Sequence, residues 1–448
     1  MASSPPASET PTTTRRELAR SLELRDLVMI TIGTVIGSGI FRVPAETLQA
    51  AGGSPGLALS IWVLGGVLSL LGALTYAELG AMKPDAGGLY VYIRDAFGPL
   101  AAFLYGWVMF LAIGPGTVAA LSVAAADYAE QLVTLGAAGR QAFALALILV
   151  VLGLNVRGTR TSADVQNVAT LIKSGALLLI GALLLALGKA GPGERLWPEQ
   201  ASGGLLASAG SAMIGVLWAY EGWQWLTFSA GEARDPQRTF PRGIVLGTAS
   251  LVFLYLLANL AYLQALGPAA AAASKRVAAD AVAAVFGPWA AKLIALVIVV
   301  SMFSAALSST LTCTRVFFAM ARDGLFFSKL AEVHPRFGTP AWAVVANCAL
   351  GALFASIGTF QQLITYVVFI AWLFYAWGGV AVYVLRRRQP DAPRPFRVPG
   401  YPVTPALFVL AAVALVLSTI ATERAQALVA LLATASGVPM YYAWRAKA

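Results

Sequence analysis

Apolar stretches long enough to cross a bilayer recur from Leu24 to Trp444, separated by short polar breaks. A helix rising 1.5 Å per residue needs roughly 20 apolar residues to span a hydrocarbon core of about 30 Å. The pattern predicts helices near 24–50, 56–81, 89–128, 141–157, 164–188, 207–230, 241–265, 286–322, 340–357, 362–386, 404–420 and 425–445. The run over 89–128 has the length of two short spans. Its main turn signal is Gly114-Pro115-Gly116, so it reads as one long helix. The expected fold class is an all-α integral membrane protein with twelve transmembrane helices, and no room remains for an ordinary soluble domain.

Composition supports that class. Hydrophobic residues make up 58% of the chain and charged residues 12%, about half the charged share of a soluble domain. Met1–Thr14 is built of small residues, Pro, Ser and Thr, ahead of Arg15 and Arg16. No usable cleavage pattern follows the first apolar run, so 1–21 reads as a disordered cytosolic tail rather than a secretory signal. Of the 31 basic residues, 22 fall in alternate loops and the tails, 8 fall in the opposite set, and one, Lys173, lies inside a span. The asymmetry predicts a cytoplasmic-membrane protein with both termini in the cytosol. It also accounts for the net charge of +10 without a nucleic-acid partner. Cys313 and Cys348 both fall in apolar segments and form no disulfide framework, and His334 precedes Pro335 in a polar loop. No metal or cofactor site is expected.

Two spans carry glycine where a long apolar helix has no need of it. The first contains Gly33-Thr34-Val35-Ile36-Gly37-Ser38-Gly39-Ile40-Phe41, the sixth Trp218-Ala219-Tyr220-Glu221-Gly222-Trp223. Glycine weakens a helix and permits backbone angles that other residues resist. In hydrocarbon, freed backbone groups are tolerated only where they line a cavity or are buried in protein. Close helix packing explains Gly33 alone. Gly37-Ser38-Gly39 as a unit points to a polar site at membrane depth, where freed amides suit a carboxylate and freed carbonyls an ammonium. Interruptions at corresponding places in two halves are a sequence pointer to a transporter site. The organisation expected is then spans one to five over 22–190, a repeat over 205–388, and two appended spans over 400–448.

These segments together are similar to the L-type amino acid transporter branch of the amino acid–polyamine–organocation superfamily. The resemblance is carried by the first-span motif, by Pro84-Asp85-Ala86-Gly87-Gly88-Leu89-Tyr90, and by Ala219 to Trp223 with Pro236 to Pro241. It continues through Arg315 to Gly324, His334-Pro335, Gly338-Thr339-Pro340, and Arg394-Pro395-Phe396-Arg397-Val398-Pro399. It implies a LeuT-like five-plus-five inverted repeat and an amino acid held between broken helices 1 and 6. Carried over by position, Gly37, Ser38 and Gly39 would bind the carboxylate. Ile36, Ile40, Trp218, Ala219, Glu221 and Gly222 would complete the substrate site, with backbone carbonyls facing the ammonium and Trp218 as a gating aromatic. Lys173 would replace a sodium ion between the first and eighth spans, with Ser309 as its neighbour. Animal members pair with a heavy chain through a cysteine between the third and fourth spans. The segment Leu135–Arg140 has none, so no disulfide-linked partner is expected. The family often has two acids after the sixth span where this chain has Gly231-Glu232.

Three residues sharpen the expectation. Lys173 lies nine residues into a span predicted to start at 164, too deep for easy snorkelling, and a buried ammonium there would be a tether that losing a proton can release. Trp218 and Trp223 flank the sixth-span break. Glu221 has three readings: a ligand for a cationic substrate group, a proton carrier, or half of a structural pair. The function expected is secondary transport of neutral amino acids across the bilayer, by sodium-independent exchange or proton-linked uptake. A cationic amino acid or polyamine transporter and a non-transporting sensor are the alternatives. A membrane-embedded enzyme lacks a His-Glu, Asp-Asp or Ser-His set, and a pump lacks a phosphate-binding loop.

Overall fold

The computed structural model describes residues 18, 20–191, 193, 195–198, 203–357, 360–422 and 424–446. Among them the secondary structure is helical, apart from a single parallel bridge between Leu22 and Ala233. Among the described residues, nine helical spans are long and apolar enough to cross a membrane, or ten when the bent pair α1 (Leu24–Val35) and α2 (Gly39–Ala50) counts as one.

The first half continues with α3 (Pro55–Met82), α4 (Leu89–Phe97), α5 (Pro99–Val108), α6 (Gly114–Ala129), α7 (Gly136–Arg157) and α8 (Thr159–Leu187). The single helix expected over 89–128 is divided. Gly98 takes a left-handed φ of 95° and Pro99 opens α5, so α4 stands apart as a short, largely buried helix. Proline has no N–H for the turn behind it, and glycine alone adopts that φ without strain. Gly114-Pro115-Gly116 does not end the span. A π turn at Met109–Ile113 widens the helix just where Pro115 would have broken regular pairing, and the span runs on to Ala129.

The second half holds α9 (Gly203–Ala219), a 3-10 segment (Trp223–Glu232), α10 (Pro236–Ala273), α11 (Val277–Phe286) and α12 (Pro288–Arg322). It closes with α13 (Ala341–Ile357), α14 (Phe360–Arg388), α15 (Val403–Thr422), α16 (Arg424–Ala435) and α17 (Gly437–Arg445). The seventh span is longer than expected because α10 turns at Gly267 and continues. The last span is two helices meeting at Ser436.

The most enclosed spans are the α5–α6 unit and α14, while α1 packs against α8, α10, α12 and the 3-10 segment, and the 3-10 segment packs against α3, α10 and α12. One end of the bundle is closed by ion pairs. Arg160 Nη1 meets Asp26 at 2.9 Å, Arg94 Nη1 meets Asp323 at 2.8 Å, and Arg386 Nη2 meets Glu78 at 2.5 Å. Arg315 Nε meets Glu232 at 2.7 Å. All four arginines belong to the basic-loop set. The Arg386-Arg387-Arg388 run thus supplies a structural ion pair.

Candidate functional site

The first span is broken at Ile36–Ser38, and its two halves meet at 48°. A break frees carbonyls at the end of α1 and amides at the start of α2. The carbonyls are taken by the protein itself. Lys173, with no exposed surface, donates from Nζ to Gly33 O and Ile36 O, both at 2.7 Å, and reaches Ser301 O at 3.5 Å. Ser301 Oγ donates to Ile36 O at 2.9 Å. The Tyr255 hydroxyl lies 3.1 Å from Val35 O and 3.0 Å from Ala219 O, so its proton is shared between the ends of α1 and α9. Thr34 Oγ1 pairs with Ser308 Oγ at 2.7 Å.

The amide side is different. Gly39 and Ile40 stand in the first turn of α2, where N–H groups have no acceptor within the helix. Ser38 Oγ is buried without a partner. Gly39 packs so closely on α9 that an added Cβ would lie 2.6 Å from Ala219 Cα. Close approach of the two broken helices therefore depends on that glycine.

The sixth span breaks through a turn at Tyr220–Gly222. Gly222 has φ 121°, a region that side-chain-bearing residues rarely enter, and the chain resumes as the 3-10 segment. Glu221 lies in the turn, 9% exposed. Its Oε1 accepts from Gln224 Nε2 at 2.6 Å and from the Tyr375 hydroxyl, and its Oε2 has no partner. Trp223 is buried edge-on against Tyr76 and Phe408, a core residue rather than an interfacial anchor.

A cavity of about 400 Å³ lies where the two breaks meet. Thr34, Val35, Gly37, Ser38, Gly39, Thr117, Leu121, Trp218, Glu221, Gly222 and Trp225 line it. About 30 Å³ of it admits the centre of a water molecule, so the walls stand close together. Gly37, Ser38, Gly39, Trp218, Glu221 and Gly222 are thus brought to one space. Ile36, Ile40 and Ala219 are beside it and do not line it. Ile36 O, expected to face an ammonium, instead faces Lys173 and Ser301. Ser309 is not among the polar partners of Lys173: its hydroxyl donates to Ala306 O within α12, at 3.1 Å. Ser301, eight residues or about 12 Å earlier on the same helix, is the α12 contact. Lys173 lies fourteen residues into α8, which starts at Thr159, or about 21 Å along it.

Sequence reasoning missed Tyr255, Ser301, Thr117 and Trp225. Only Tyr255 left a local trace, as a polar tip in an otherwise apolar run. Tyr255, Ser301 and Thr117 meet the breaks across large sequence separations, whereas Trp225 follows the sixth-span break directly.

The whole span of helices is matched by known proteins. The profile of the family described as amino acid permease matches residues 22–443. Serine/threonine exchanger SteT of Bacillus subtilis is 31% identical, covering 95% of this chain and 97% of that protein. The large neutral amino acids transporter small subunit 2 of Mus musculus is 33% identical over 95% of this chain and 81% of its own length. The b(0,+)-type amino acid transporter 1 of Mus musculus is 31% identical over 95% and 88%.

Proposed function

This chain belongs to the amino acid permease family, and from that premise we propose that it exchanges neutral L-amino acids across the cytoplasmic membrane by alternating access. The relatives named above include exchangers and transporters of serine, threonine and large neutral amino acids. The observation that carries the reading to this molecule is the unequal satisfaction of the first break. The protein occupies the carbonyls freed at the end of α1, while the amides at the start of α2 and Ser38 Oγ are left at a cavity. A carboxylate is the natural complement of such a helix start.

In this reading Gly37, Ser38 and Gly39 hold the substrate carboxylate. Trp218 closes over it, and the carbonyls around Trp218 and Glu221 face its ammonium. Lys173 stands where a sodium ion would otherwise join the first and eighth spans. Twelve spans follow if α9 with its 3-10 continuation, and α13, cross the membrane as short spans. Spans one to five (22–190) and six to ten (205–388) then form the inverted repeat, with the last two (400–448) beside it. The basic end, where α1 enters, faces the cytosol. Both cysteines are buried, Cys313 at 0% and Cys348 at 2% exposure, and the transporter works without a disulfide-linked heavy chain.

The test is uptake into liposomes holding only this protein, with a panel of amino acids, with and without internal substrate, at two pH values. Uptake that depends on internal neutral amino acid supports exchange. Binding without uptake would make the protein a sensor, and uptake without internal substrate that rises with an inward proton gradient would replace exchange by proton-linked transport.

A further inference from the structure

At the basic end of the bundle Arg160, Arg94, Arg386 and Arg315 each hold a carboxylate, and Lys83 Nζ meets Asp95 at 3.3 Å. Lys329 is placed differently. It stands in a one-turn 3-10 helix (Ser328–Ala331) between α12 and α13, just past the Asp323 that pairs with Arg94. Among the described residues its ammonium has no carboxylate partner, and Glu332, one turn on, is exposed and forms no ion pair with it. The ammonium lies instead over the indole of Trp342, 5.7 Å from the ring centre.

That pair borders an open groove of about 630 Å³. One wall is the loop, with Phe327, Lys329 and Leu330, and the other is the first turns of α13, with Trp342, Val345 and Ala346. Phe327 is 55% exposed and Trp342 49%. The Phe327 ring is fixed against Phe326 and Trp444. Beyond the groove the exposed positions of α13 continue at Ala349, Leu353 and Ile357, spaced four apart and so on one face of the helix. The opposite face, with Val344, Asn347, Cys348 and Gly351 buried, packs on α6, α7 and α12.

A lysine stem follows apolar surface while its ammonium stays at the level of the headgroups, where tryptophan indoles also settle. A positive charge at one end of an apolar track complements an anionic amphiphile, with phosphate at the ammonium and hydrocarbon along the track. A free phosphate would use the charge and leave the apolar walls uncovered.

We propose that this groove binds an anionic phospholipid, its phosphate at Lys329 and Ser328 and an acyl chain against Trp342, Val345 and Leu353. The proposal rests on α13 crossing the membrane as a short span, and not on which solute the protein moves.

The full-length protein in phosphatidylcholine bilayers is titrated with lipids brominated on an acyl chain, which quench the fluorescence of a tryptophan they touch. The share of quenching that Trp342→Phe removes belongs to the groove, and phenylalanine keeps an aromatic face under the ammonium. Brominated phosphatidylglycerol should reach half of that share at about one-fifth of the bilayer fraction that brominated phosphatidylcholine needs, the preference that one lysine at an anionic surface supplies. In Lys329→Gln, with the same subtraction, the two lipids should quench alike. Equal quenching by the two lipids with Lys329 in place overturns the proposal, as does a preference that Lys329→Gln leaves intact. Displacement of brominated phosphatidylglycerol by soluble glycerol phosphate overturns it in favour of a free phosphate site. If no quenching belongs to Trp342, the membrane placement of α13 falls and the proposal with it. Every arm reads lipid contact, so a protein that exchanges no amino acid would sink the transport reading and leave this result standing.

Discussion

The Arg315 guanidinium holds the Glu232 carboxylate through two nitrogens, Nε to Oε1 at 2.7 Å and Nη2 to Oε2 at 3.0 Å, and neither side chain has exposed surface. Thr159 Oγ1 completes the arrangement, donating to Oε2 at 2.8 Å and accepting from Nη2 at 2.9 Å. The Glu232 carbonyl meanwhile receives the amides of Ser21 and Leu22, both at 2.9 Å. One residue therefore ties together α12, α8, the 3-10 segment and the entry to α1. The family pattern of two acids after the sixth span is not needed for a bidentate pair. Glu232 alone supplies both oxygens.

Removing one partner should destabilise the protein more than removing both. Arg315→Ala or Glu232→Ala leaves a buried charge uncompensated, at a cost of about 3–5 kcal/mol. Replacing the pair together, with Arg315→Met and Glu232→Leu, should recover most of that loss. Thermal unfolding in detergent reads the difference. Single variants that unfold at the wild-type temperature would mean that water reaches the pair.

In the proposed role, Lys173 takes the place of a sodium ion. A resident ammonium about 4 Å from a bound cation would repel it by roughly 4 kcal/mol at an effective dielectric of 20, nearly a thousandfold in affinity. Wild-type exchange should proceed at the same rate with sodium replaced by choline. Lys173→Ala leaves the Gly33 and Ile36 carbonyls without their shared donor and should impair exchange severely. Sodium-dependent exchange in the wild type would refute the first claim, and near-normal exchange in Lys173→Ala the second.

Tyr255→Phe isolates the bridge between the two broken helices. The ring still packs against Trp62 and Tyr220, while Val35 O and Ala219 O lose their common donor. Stability should fall by about 0.5–1.5 kcal/mol, the net value of one neutral hydrogen bond, and exchange should fall several-fold. A variant with normal exchange would reduce the bridge to a packing contact.

Ser38→Pro tests the amide side of the break. Ser38 has φ −75°, close to the angle that proline fixes, so the substitution removes an N–H while keeping the local φ. Substrate should no longer raise the melting temperature of the detergent-solubilised variant, which should itself stay folded. Undiminished stabilisation by substrate would place the carboxylate elsewhere.

The sequence alone determined the class of protein, the location of the breaks and the resemblance that led to the family. Each rests on local information. A run of about 20 apolar residues is a span wherever it packs, Gly37-Ser38-Gly39 weakens a helix whatever lies opposite, and a lone lysine in such a run announces a buried charge. The partners of that charge were beyond local information. Lys173 reaches Ser301 rather than Ser309, Tyr255 spans two breaks, and Glu232 serves both Arg315 and the N-terminal segment. These pairings join residues separated by tens to hundreds of positions, and the way the helices pack decides which side chains meet. Even the division of 89–128 at Gly98, with its continuation through Pro115, depended on the π turn and the surroundings of each proline. Hydropathy does not encode the angle at which two helices cross or the face each presents, and these details of the site depended on both.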